Sequence, residues 1–225
     1  MTNKLFGMLA LLLASCASQV PQPPRTSTTL DAPDAYTLVS ERNLFSGYPA
    51  TNPDGTLNVI VEIPAGTNAK WEVDKQGVLR WEFKNGEPRV VRFLGYPGNY
   101  GMIPSTLLPK EEGGDGDALD VIVLGPPVER GQVVRARIIG VLELMDGGEQ
   151  DDKLVAVLEG APLASVQDIY QLKTDFPGVS LILETWFTSY KGPGKMQSNG
   201  FRGRADALAI LQAAQSAFQL IWLRK

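Results

Sequence analysis

Apolar residues in this chain come in short runs with a period close to two, and glycine or proline interrupts nearly every run. Residues 58–63, 70–74, 78–83, 90–93, 121–124, 133–144 and 154–158 read as strands, because β-branched and aromatic side chains are concentrated there. Gly66, Gly77, Gly86, Pro97, Pro126-Pro127, Gly131 and Gly147-Gly148 mark the turns between them. The period lengthens late in the chain. Residues 165–173 and 179–189 read as helices, and 204–220 is alanine-rich with an amphipathic repeat. Many short strands followed by a few helices predict a mainly β, α+β domain. Its expected form is a closed β-barrel with α-helices packed at one side.

The N-terminus departs from that pattern. A basic start at Lys4 leads into an apolar stretch and small residues, which reads as a secretory signal too short to span a bilayer. It ends in Leu13-Ala14-Ser15-Cys16, which resembles the lipobox of bacterial lipoproteins, where cleavage leaves a lipidated N-terminal cysteine. Cys16 is the only cysteine, so an internal disulfide is excluded; the alternative is a plain signal peptide with a spare thiol. Ala17 and Ser18 follow it rather than aspartate. By resemblance to Gram-negative lipoproteins, this implies anchoring on the outer membrane, facing the periplasm, rather than on the inner membrane. Beyond Cys16 the chain is polar and rich in proline and threonine, as a tether would be. The expected organisation is a signal peptide over 1–15, a lipidated cysteine and tether over 16–34, and one catalytic domain over 35–225.

Composition narrows the function. A chain of 225 residues with 44% hydrophobic and 20% charged residues can bury one sizeable core. The net charge of −4, more negative still if Lys4 is removed with the leader, argues against nucleic acid as a partner. Small anions need only a local basic pocket. There is no histidine, so acid–base work and metal ligation fall to carboxylates, lysine, tyrosine or water.

The run Gly114-Asp115-Gly116-Asp117-Ala118-Leu119-Asp120 holds three carboxylates within six positions, directly before an apolar strand. Hard cations such as Mg²⁺ take oxygen ligands and would relieve the repulsion. A solvated turn of ordinary Asp and Gly is the alternative. A second acidic segment runs from Asp146 through Asp151 and Asp152 to Lys153, and Glu62 interrupts an apolar strand. Lys70, Glu72, Arg89, Tyr96, Tyr100, Lys153, Tyr190 and Lys191 complete the set. Carboxylates for metals together with cations and phenols for phosphate oxygens are the components of metal-assisted phosphoryl transfer.

In chain order, Val61-Glu62-Ile63-Pro64, Ala69-Lys70-Trp71-Glu72, Tyr96-Pro97-Gly98-Asn99-Tyr100-Gly101, Asp115 to Val121, Asp146 to Lys153 and Ser189-Tyr190-Lys191-Gly192 resemble soluble family I inorganic pyrophosphatases. The approach to the first motif and the segment Arg89-Val90-Val91-Arg92 look more like the eukaryotic-type branch. The resemblance implies an OB-like five-stranded closed barrel with the site at its mouth. It implies Mg²⁺-dependent hydrolysis of pyrophosphate to two phosphates, by in-line attack of metal-activated water, with several Mg²⁺ ions per site. Asp115 and Asp120 would bind metal, Asp146 and Asp151 would complete that cluster, and Glu62 would reach it, directly or through water. Asp117 would orient or deprotonate the nucleophile. Ala118 stands where the family usually has proline, which removes no ligand.

Lys70, Tyr100, Lys153, Tyr190 and Lys191 would contact phosphate or nucleophile, with Glu72 nearby. Arg89 and Arg92 compete for one clamp on phosphate, and the spacing favours Arg89. Several alternatives stay open on the residues themselves: an ion pair for Lys70 and Glu72, plain barrel aromatics for Tyr96 and Tyr100, and a solvated turn for Asp152. Lys75, Lys84, Lys110 and Lys173 read as surface charge. Family relatives form dimers or hexamers, so a homo-oligomer is implied without choosing between them. Two other functions stand beside the leading one: an envelope hydrolase of polyphosphate or another phosphoanhydride, and a non-catalytic lipid-anchored binding module.

Overall fold

The computed structural model describes residues 25–26, 28–109, 114 and 116–221. Cys16, the leader and Asp115 lie outside the described residues. The strands in chain order begin with β1 (Arg25–Thr26), β2 (Leu30–Asp34), β3 (Thr37–Ser40), β4 (Leu57–Ile63), β5 (Trp71–Val73) and β6 (Leu79–Trp81). Next come β7 (Phe83–Lys84), β8 (Glu87–Pro88), β9 (Asn99–Met102), β10 (Asp120–Leu124), β11 (Val133–Asp146), β12 (Glu149–Gln150) and β13 (Lys153–Leu158). Helices α1 (Ile169–Asp175) and α2 (Val179–Ser189), strand β14 (Met196–Gly203) and helix α3 (Arg204–Ile221) follow.

Five strands close on themselves in the order β11–β13–β10–β9–β4, and β4 returns to β11 through Val133↔Ile60 to Ala136↔Leu57. Closure removes the unpaired edges that an open sheet would expose. The long β11 makes this possible. Its first residues pair with β4, its middle with β13 across a bulge near Gly140, and its far half with β14. Strands β10 and β13 are parallel neighbours buried on both faces, which is why each reads as an unbroken apolar run. Val121, Val123, Leu154 and Ala156 join one core cluster with Ala207, Leu211 and Ala214 of α3. Ile122, Leu124, Val155 and Val157 face a second, with Leu172 of α1 and Leu183, Trp186 and Phe187 of α2. Fully burying such side chains is worth about 1.5–3 kcal/mol each, so the two clusters hold β10 and β13 from both faces.

The fold matches the barrel-plus-helices expectation, with three differences. Leu30–Asp34, read as the end of a tether, form β2 and pair with β3. Just before it, Thr28 is buried and exchanges hydrogen bonds with Gln132, N–H to Oε1 and Nε2–H to C=O, both at 3.2 Å. Leu30 supplies the apolar anchor that the polar, proline-rich stretch before it lacks. Residues 90–93, expected as a strand, make only a bridge from Val90 to Ala69 and then bend away. The hairpin β7–β8 supplies the pairing instead. Its turn is Asn85-Gly86, both with positive φ (56° and 79°), the geometry that such a two-residue turn requires. Strands β9 and β14, which no alternation announced, carry three glycines among their twelve residues. Gly101 is obligatory there, since a Cβ would lie 1.9 Å from the Ile60 carbonyl oxygen.

Candidate active site

Strand register gathers the polar groups at one end of the barrel. Val121 lies opposite Leu154 in the parallel pair, so the preceding residues, Asp120 and Lys153, emerge side by side. Lys153 is 3% exposed, and its Nζ donates to Asp120 Oδ2 and to Asp151 Oδ1, both at 2.5 Å. Burial works against charge on all of these groups, but the partners prevail. Asp120 is held below the ordinary aspartate range by Lys153 and Lys70, and Lys153 is raised by the two carboxylates. Tyr100 on β9 also hydrogen-bonds Asp120, and burial followed by that negative charge raises its phenol well above its usual range.

Glu62 reaches the site through a bulge. Strand β4 pairs Val61 with Gly101 and Ile63 with Tyr100, leaving Glu62 as the extra residue between them. Such an insertion turns a side chain out of the alternation. Glu62 is 4% exposed, and its Oε1 accepts from the Val73 N–H at 2.7 Å. Burial pushes its carboxyl well above the usual glutamate range, opposed by Lys70. Lys70 Nζ lies 2.6 Å from Glu72 Oε1 and 5.0 Å from the Tyr100 ring centroid, so the ion pair left open by the sequence is present.

The remaining groups come from turns and from the helical side. Asp146, the last residue of β11, is ion-paired with Lys191. Tyr190 stacks on Trp186 at 4.7 Å and 13°, which fixes the ring beside that pair. Arg89 Nη1 donates to both carboxylate oxygens of Glu82, at 2.6 and 2.8 Å. Lys75 Nζ lies 3.4 Å from Asp117 Oδ1.

One cavity of about 590 Å³ is lined by Glu62, Lys70, Arg89, Tyr100, Asp117, Asp120, Asp146, Asp151, Lys153, Tyr190 and Lys191. Glu72, also put forward by the sequence, lines it too, whereas Tyr96 and Arg92 do not. Arg92 lines only a neighbouring cleft, whereas Arg89 lines both that cleft and this cavity. Asp152 turns away, accepting from the Leu144 N–H and Gln150 Nε2 at 2.9 and 2.7 Å, as a turn residue should. Tyr96 is buried behind the cavity, its ring 4.3 Å from that of Trp186. Lys75, expected as surface charge, belongs to the cavity wall. Glu82 and Trp186 were missed. The Asn85-Gly86 turn could have revealed Glu82, because it folds residue 82 back onto residue 89.

The donor set on the carboxylate side is oxygen only, which suits a hard divalent cation. Among the described residues no three carboxylates converge as ligands of a single ion, and each of Asp120, Asp146 and Asp151 is held by a lysine. Asp115, the remaining candidate of the first acidic run, is outside the described residues.

A sequence model of the family described as inorganic pyrophosphatase matches residues 59–219, the span of this chain that holds these carboxylates and cations. The chain belongs to the inorganic pyrophosphatase family. It is 36% identical over 174 residues to the inorganic pyrophosphatase of Kluyveromyces lactis, covering 70% of this chain and 61% of that protein. With the inorganic pyrophosphatase of Drosophila melanogaster it shares 36% identity over 173 residues, 69% of this chain and 51% of the relative. The chain therefore spans between about half and three-fifths of these curated pyrophosphatases. Among solved structures, the Schistosoma japonicum inorganic pyrophosphatase superposes with a TM-score of 0.71 at 28% identity, covering 78% of this chain and 70% of that one. The Helicobacter pylori inorganic pyrophosphatase superposes at 0.65 with 30% identity, over 76% of this chain and 98% of that one. A Toxoplasma gondii type I pyrophosphatase shares the fold, with a TM-score of 0.80 at 24% identity.

Proposed function

We propose that this protein hydrolyses inorganic pyrophosphate to two orthophosphates, with Mg²⁺ as its metal and water as the direct nucleophile. The observation that carries this reading is the single cavity in which Asp117, Asp120, Asp146 and Asp151 face Lys70, Arg89, Lys153, Tyr190 and Lys191. Its cations and phenols are suited to bind phosphate oxygens, and the Arg89 guanidinium, pre-oriented by Glu82, is suited to grip them. Asp117 stands at the exposed lip, its side chain 67% accessible, where it can take a proton from an incoming water. Asp115, Asp120, Asp146 and Asp151, with Glu62 behind them, are the residues that would hold metal. Bound divalent cations supply charge neutralisation on the phosphates and acidify water at neutral pH. No serine, cysteine or histidine lines the described cavity, which favours direct attack over a covalent intermediate.

The test is phosphate release from pyrophosphate by the full chain with Mg²⁺, compared with Asp117→Asn. Loss of about 10²–10⁴ in kcat in the variant, with an unchanged circular dichroism spectrum, is the expected result. A folded wild type that releases no phosphate under these conditions refutes the proposal. We also propose that Cys16 is lipidated and holds the enzyme on the bacterial envelope. Leu13-Ala14-Ser15-Cys16 supports this, and Cys16→Ala should move the protein from the membrane fraction to the soluble one.

A further inference from the structure

Beside the catalytic cavity lies a second cleft of about 700 Å³ that shares Arg89, Asp146, Tyr190 and Lys191 with it, so the two are contiguous. The cleft's own walls add Lys84 from the β7–β8 hairpin, Arg92 after it, and Lys195 from the loop beyond α2. Five cations thus face two carboxylates, Glu87 and Asp146, in a protein whose net charge is −4.

The contrast with the catalytic cavity is in pairing. There Lys70, Arg89, Lys153 and Lys191 each have a carboxylate partner. Lys84, Arg92 and Lys195 take part in none of the ion pairs among the described residues. Uncompensated charge of one sign in a cleft focuses the field on an anion. Unpaired cations on three separate segments, converging next to a phosphate-handling site, lack the partners that a purely structural role would supply.

We propose that this cleft extends the active site and seats the further phosphates of a linear oligophosphate, tripolyphosphate or longer, while its terminal unit occupies the catalytic cavity. The inference rests on the pyrophosphatase reading and names a wider substrate class for the same site. A nucleoside triphosphate fits less well, because a base needs an aromatic platform. Tyr190, the one aromatic lining the cleft among the described residues, is already stacked on Trp186.

The chemistry is that of the first substrate. The oxygen of water bonds to the terminal phosphorus beside Asp117, and the bridging P–O bond breaks. Its electron pair leaves on the phosphate chain held in the cleft. One water proton passes to Asp117 and on to solvent, and the other stays on the orthophosphate. Tripolyphosphate and one water give orthophosphate and pyrophosphate, and a second water converts the pyrophosphate to two more orthophosphates.

The experiment measures steady-state phosphate release by the full chain with Mg²⁺, on pyrophosphate and on tripolyphosphate. It compares the wild type with the triple variant Lys84→Ala/Arg92→Ala/Lys195→Ala. We expect the wild type to cleave both, and the variant to lose about tenfold in kcat/KM on tripolyphosphate while staying within about twofold on pyrophosphate. Equal losses on the two substrates, or none on tripolyphosphate, overturn the proposal. Wild type active on pyrophosphate but inert on tripolyphosphate overturns this inference alone, whereas inactivity on pyrophosphate overturns the reading beneath it.

Discussion

Lys153 holds two carboxylates that would otherwise repel each other in a buried site, and it does so from a strand where lysine looks out of place by periodicity. Removing one member of such a buried group leaves charge without compensation, which costs roughly 3–5 kcal/mol. Lys153→Met should therefore destabilise the metal-free protein by about that amount, read from urea unfolding in chelator; a change below about 1 kcal/mol would show that the cluster is solvated. Glu62 makes the opposite case. Burial raises its folded pKa, so its stability contribution is present in acid and is lost as pH rises through the unfolded and then the folded value. Glu62→Gln keeps an acceptor for the Val73 N–H without the charge. In chelator its melting temperature should match the wild type near pH 4 and exceed it near pH 8; a constant difference across that range would contradict the assignment. The sequence disclosed these residue types, because a charge within an apolar run is conspicuous. It did not disclose their partners, because Lys153 meets Asp120 only through a register set 33 residues apart.

Two elements turn local sequence into site geometry. The bulge in β4 delivers Glu62, and it depends on Gly101 letting β9 approach the Ile60 carbonyl. Gly101→Ala forces backbone apart and should cost about 1–3 kcal/mol in stability, with a drop in activity. A variant as stable as wild type would mean that the strand pair has slack. The β7–β8 hairpin in turn brings Glu82 onto Arg89. Because Glu82 touches the guanidinium rather than substrate, Glu82→Ala should raise KM for pyrophosphate several-fold with a smaller change in kcat, and Glu82→Gln should recover part of the loss. An effect confined to melting temperature would reduce Glu82 to a structural role. Alternation revealed the long buried strands, and the helical repeat placed α2 and α3 almost to the residue. It missed β9 and β14, whose glycines give no hydrophobic signal, and it misread residues 90–93, whose apolar side chains look strand-like but find almost no backbone partner.

At the scale of the molecule, the folded unit starts earlier than composition suggested. Strand β1 pairs with β11, Thr28 binds Gln132, and β2 pairs with β3. A chain beginning at Ala32 should melt several degrees below one beginning at Arg25, since 1–2 kcal/mol corresponds to roughly 2–8 °C for a protein of this size. Identical melting curves would return residues 25–31 to the tether. What the sequence determined by itself was the inventory and its order: clustered carboxylates, lysines and tyrosines without any histidine, and the short alternating runs that suit a closed sheet. Those properties are local, carried by residue type and spacing. Tertiary structure alone decided which strands close the ring and which lysine neutralises which carboxylate. It also decided that Arg89 rather than Arg92 lines the candidate active-site cavity, and that three cations in the cleft beside it have no ion-pair partner among the described residues. Each of these depends on contacts between residues far apart in the chain, where one step of register exchanges the faces of a strand.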